Sequence, residues 1–145
     1  MKNLERIIID GKLLAMIIRK GFKKEGIEFF TPVDYTQQLA YMHRPKGYVV
    51  KAHRHNPVKR EILSTRETLF VKSGKVRADF YCNDQGYVES RVLNKGDVLL
   101  LIEGGHGFEF IQAGELIEVK QGPYFADTDL SRIEPVAQDK LKVKK

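Results

Sequence analysis

From residue 47 onward the chain is cut by turn residues into short runs that alternate with period two. Ser73-Gly74, Asn83-Asp84-Gln85-Gly86, Asn94-Lys95-Gly96-Asp97 and Gly104-Gly105 are the breaks. Between and beside them the pattern predicts strands over 47–55, 66–72, 76–82, 87–93, 98–102, 106–111 and 115–122. In the second, Glu67, Leu69 and Val71 share a face. In the third, Val76, Ala78 and Phe80 oppose Arg77, Asp79 and Tyr81. The run VLLLI is apolar throughout, which predicts a strand buried on both faces. Short strands at near-regular spacing indicate an all-β sandwich or barrel.

The first 46 residues add further strands. Asp10-Gly11 between ERIII and KLLAMII suits a type I′ hairpin, whose two central residues need positive φ. A helix over 12–20 competes, because Leu13, Leu14, Ile17 and Ile18 also fit a 3.6 period; the isoleucines and flanking glycines favour strands. EGIEFFTP and QQLAYMHRPKG read as two more, stopped by Pro32 and Pro45. The 145 residues predict one domain, 1–145: N-terminal strands 1–46, a barrel core 47–120 and a loose basic tail 134–145.

Charge and cysteine content narrow the function classes. Lys and Arg exceed Asp and Glu by 25 to 19, a net +6, but the excess is scattered or gathered in Lys140, Lys142, Lys144 and Lys145. No basic helix or nucleic-acid motif accompanies it, so a nucleic-acid partner is not expected. No apolar run approaches the roughly 20 residues of a membrane span, and none has a signal peptide's layout. The single cysteine, Cys82, excludes an internal disulfide and reads as a packed thiol. A cytoplasmic location is the expectation.

Three of the four histidines fall in two segments, GYVVKAHRHNPVKREILSTRETLFVKSG and GDVLLLIEGGHGF. On a strand His53 and His55 would project from one face. Glu67 should share the inward face with Leu69 and Val71. A buried carboxylate beside imidazoles needs something to neutralise it. A divalent cation held by His53, His55, Glu67 and His106 would do so, leaving two octahedral positions for water or substrate. A hydrogen-bonded polar cluster without metal is the other reading. Glu61 is a rival carboxylate, six residues after His55, in a loop with Lys59 and Arg60. Glu61, Lys51 and Tyr48 are the candidates for acid or base. His43 stands outside both segments and reads as an edge-strand residue.

The two segments resemble the motifs of the cupin family. Gly47 precedes His53 and His55 by the family's five intervening residues, and six separate Glu67 from Gly74. Two departures stand out: eleven residues separate His55 from Glu67, and Ile102 and Phe110 replace the second motif's Pro and Asn. The resemblance covers roughly 47 to 118 and implies a jelly-roll β-barrel with a bound divalent metal such as Fe, Mn, Zn or Ni. GGHGFEFI and EVKQGPY also look like the small single-domain cupins found beside bacterial surface-polysaccharide and nucleotide-sugar genes. That likeness implies an enzyme of isomerase, epimerase or oxygenase type acting on a sugar, sugar acid or nucleotide sugar. A non-catalytic metal- or ligand-binding module is the alternative. A homodimer is expected through the edge of the apolar strands at 6–18.

Overall fold

Asp10 and Gly11 both adopt positive φ, 48° and 75°, and close the first hairpin. Strands β1 (Leu4–Ile9) and β2 (Lys12–Ile18) pair antiparallel on either side of it. The isoleucine-rich run is therefore strand, as the flanking glycines indicated. The structure is a computed structural model, and it describes residues 3–125 and 127–144. Lys145 of the basic tail lies outside them. The described residues are all-β apart from one 3-10 turn, Gln138–Lys140. Among them no helix is long and apolar enough to cross a membrane. By its contacts the chain divides into two units, Lys23–Ser64 and the remainder.

The smaller unit holds one hairpin, β3 (Gly26–Phe29) with β4 (Ala40–His43), where the sequence places its two Pro-terminated strands. His43 is exposed at the end of β4. The expected strand 47–55 does not form: no strand covers 44–66, and 48–65 is exposed throughout. Of the apolar residues meant to bury it, Val49 is 77% exposed and Val50 55%. A strand needs a partner for its backbone groups and a surface for its side chains. Lys51, Arg54, Lys59, Arg60 and Pro57 make this segment a poor donor of either.

The larger unit is a curled, half-barrel sheet of seven strands. Its spine is β5 (Glu67–Tyr81), followed by β6 (Tyr87–Asn94), β7 (Val98–Leu101) and β8 (Gly105–Lys120). β8 runs the length of one edge of β5, while β7 and β6 divide the other edge between them. β2 pairs with β7, which places the N-terminal hairpin at the outer end. Leu99 and Leu100, neighbours on β7 that point to opposite faces, are both fully buried, as the unbroken apolar run requires.

The Ser73-Gly74 turn is corrected to a bulge. β5 passes through it as one 15-residue strand. Gly74 has φ 76°, and a Cβ there would stand 2.4 Å from the Ala113 carbonyl oxygen. A Cβ on Gly114 would stand 2.2 Å from the Ser73 oxygen. Two facing glycines let the backbones close on each other, and the register slips from Val71 to Val76. The predicted runs at 106–111 and 115–122 likewise join into the single strand β8.

This bend matters because of where the ends of β5 go. A straight strand of its length would span roughly 50 Å. Yet Glu67 pairs with Leu101 and Tyr81 with Gly105, so both ends reach the same short β7–β8 connection. Gly104, at φ 74°, is glycine because a Cβ would meet the Tyr81 oxygen at 2.2 Å. The concave face carries the core: Ile7, Leu14, Ile17, Leu69, Val71, Ala78, Phe80, Leu93, Leu99 and Leu101. Each large member is worth about 1.5–3 kcal/mol of burial.

The tail is also corrected. β9 (Val143–Lys144) pairs parallel with β6 at Ser90 and Arg91. The Ser90 N–H donates to the Lys142 carbonyl at 3.0 Å, and the Val136 N–H to the Tyr81 hydroxyl at 3.0 Å. This segment accompanies a buried polar face that alternation alone reads as solvated. Arg77 grips Asp79 with two nitrogens at 2.8 and 3.0 Å, and Ser90 donates to Asp79 at 2.5 Å.

Candidate functional site

Two of the four metal candidates meet on the sheet. His106 Nε2 stands 3.1 Å from Glu67 Oε2, although 38 residues separate them in the chain. The curl of β5 explains it. Glu67 opens the strand on the face that carries Leu69 and Val71 into the core. His106 pairs with Phe80 at its far end, on the face of Phe108. His106 also packs its ring against Phe108, centroids 5.3 Å apart.

Sequence reasoning missed a third member, Lys120. Its Nζ lies 3.9 Å from Glu67 Oε1 and 3.0 Å from Glu118, and 4.8 Å above the centre of the Tyr124 ring. The signal was available in the alternation of ELIEVK, which puts Leu116, Glu118 and Lys120 on one face, and Leu116 is core-facing. The hydrogen bond from His106 holds the Glu67 carboxyl below its ordinary range, against the opposing effect of burial; the charge of Lys120 adds to the lowering. Glu67 is thus an anion at neutral pH, half-buried and aimed at an imidazole.

His53 and His55 are corrected from inward strand positions to exposed positions in the segment without strands. Their rings still meet edge to face, 5.4 Å between centroids. His53 Nδ1 lies 2.8 Å from the Lys51 carbonyl oxygen. A carbonyl only accepts, so this bond puts the proton on Nδ1 and leaves the Nε2 lone pair outward, the form in which imidazole binds metals. Glu61, Lys51 and Tyr48 lie in the same exposed segment. Tyr48 is covered on one ring face by the Arg44 guanidinium at 4.6 Å. Of the two rival carboxylates, Glu67 is the one beside His106.

A metal ion asks for deprotonated oxygen and nitrogen donors grouped together. Glu67 and His106 supply one of each, and the donor chemistry suits a divalent first-row ion. Among the described residues no group of three or more His, Cys, Asp or Glu side chains is drawn together closely enough to hold one.

Two other motifs resolve into structural roles. Asp97 of the Gly96-Asp97 pair is 2% exposed. It accepts from Lys20 N–H at 2.9 Å, from Asn94 N–H at 2.9 Å and from Arg19 Nη1 at 2.8 Å. Arg19 continues to Glu5 at 2.6 Å, so one carboxylate ties the β6–β7 turn to the N-terminal hairpin. Cys82 Sγ lies 2.9 Å from Asp84 Oδ1, and this hydrogen bond raises the thiol pKa. That is the wrong direction for a nucleophile.

Compared with family models, curated proteins and solved structures, the chain matches none of them.

Proposed function

We propose that this chain is a metal-binding protein of cupin type, a jelly-roll barrel that acts on a small polar molecule such as a sugar, sugar acid or nucleotide sugar. The observation that carries the reading is the 3.1 Å approach of Glu67 and His106. It sets a carboxylate and an imidazole together on the concave face of a β-sheet. His53 and His55 are the further ligands that the sequence spacing supplies, and the hydrogen bond from His53 Nδ1 prepares its Nε2 for that role. A divalent ion there would polarise a bound carbonyl or carboxylate oxygen.

The chain's own groups would do the rest. Glu67, held ionised, balances the positive charge, and Lys120 beside it offers a cation to an anionic substituent of the substrate. Glu61, Lys51 and Tyr48, exposed in the 48–65 segment, are the groups proposed to carry protons for an isomerase or epimerase reaction. The second reading is a non-catalytic module that binds metal or a small ligand; it needs only Glu67, His106 and Lys120, which lie together on the sheet.

Metal analysis of untagged protein, with titrations of variants, tests the reading. Glu67→Gln and His106→Ala should each weaken affinity by roughly tenfold or more. His53→Ala/His55→Ala should abolish binding while the fold survives, and Glu61→Gln should leave affinity near wild type. Full occupancy in the double variant would refute the ligand set. A reversal of the two glutamates would make Glu61 the ligand. Crystals soaked with sugar nucleotides then separate a substrate site from a bare metal site.

A further inference from the structure

Among the described residues the longest strand, β8, is exposed along most of its length. Over 109–120 every residue of β8 except Leu116 is exposed, although the two faces of this stretch alternate in the usual way. β5 covers one edge of β8, and among the described residues no strand pairs with the other. On the convex face Ile117 is 52% exposed, Val119 50% and Phe70, the register partner of Ile117, 38%. An uncovered edge carrying apolar side chains is the template for adding another strand.

The hydrogen-bonding groups on that edge can be assigned. Val71 N–H donates to Asp97 O at 3.0 Å, and its carbonyl accepts from Gly96 N at 2.8 Å, so the polar groups of Val71 face the β7 side. Those of Phe70 then face β8, and those of Ile117 face β5. Leu116 and Glu118, one residue to either side, are left presenting N–H and C=O to the free edge.

We infer that β8 pairs antiparallel with β8 of a second copy of this chain, about a twofold axis at Ile117. This register matches Leu116 to Glu118 of the other copy twice over, which joins the two sets of outward backbone groups. It extends one convex row as Phe70, Ile117, Ile117 and Phe70 across the two chains. No like charges face each other: Glu115 opposes Val119 and Lys120 opposes Gly114. An axis at Glu115 or Glu118 would set two carboxylates against each other. The other end of the sheet suits the role less well. β1 has six residues and a bulge between Ile7 and Ile8, both devices that blunt an edge.

The oligomeric state tests this, independently of any metal. Wild-type protein should sediment as a dimer, and Ile117→Lys should halve the mass while keeping its β-type circular dichroism. Should that variant unfold, cysteine cross-linking decides. In a Cys82→Ser background, Ile117→Cys should oxidise to a covalent dimer, whereas Ile8→Cys on β1 should not. A monomeric wild type, or cross-linking at Ile8 and not at Ile117, would overturn the assignment.

Discussion

Glu67 and Asp97 are both carboxylates near the concave sheet, and their partners give them different work. Asp97 has three hydrogen-bond donors, two of them backbone N–H groups, and is closed off from solvent. Removing it leaves Arg19 half-paired and a turn unclosed, so Asp97→Ala should lose about 3 kcal/mol in denaturant unfolding. Glu67 has an imidazole and a more distant ammonium, on the face that opens at the strand ends. Its pKa is lowered in the folded state. The stability it contributes is therefore complete above the ordinary carboxylate range and lost as pH falls through the depressed folded value. Glu67→Gln should flatten that part of the acid limb. An acid-unfolding curve unchanged from wild type would show that the pair carries no linkage.

Among the elements, β5 and β8 set the shape of the sheet through one crossing point. Gly74→Ala would force a Cβ into the backbone of Ala113 and Gly114 at a positive φ. It should cost about 2–3 kcal/mol. The consequence reaches the site, because the bend is what returns His106 to Glu67. The variant should therefore also shift the His106 ring resonances, whereas a substitution at Gly107, where a Cβ meets nothing beyond its chain neighbours within 4 Å, should leave the stability near wild type. The C-terminal segment behaves as an element too. The Tyr87 hydroxyl accepts from Lys142 N–H at 2.8 Å and pairs with Ser90 Oγ at 2.8 Å, while Lys144 reaches Glu89. Truncation before Gln138 uncovers this polar layer and should lower the melting temperature by roughly 5 °C or more. Amide exchange at Ser90, whose N–H donates to Lys142, should quicken with it.

At the scale of the whole molecule, period and turn chemistry were legible in the chain itself. Asp10-Gly11 reads as a hairpin turn, VLLLI as a strand buried on both faces, and strands outnumber helices in the pattern, because these depend on neighbours within a few residues. Glu67 was legible as inward-facing for the same reason. What lay out of reach depended on distant partners. Ser73-Gly74 looks like a turn locally, and only Gly114, 40 residues away, makes it a bulge. The basic tail looks like solvated terminus, and only the free edge of β6 and the Tyr87 hydroxyl make it a strand. His53 and His55 have strand spacing, but spacing does not supply a pairing partner, and the segment around them forms no strand. Local sequence determined which residues could extend and where they could turn, since those are preferences of single backbones and of side chains two residues apart. The tertiary structure decided which ends meet, because the curl of a sheet is set by backbone pairing summed over its whole width.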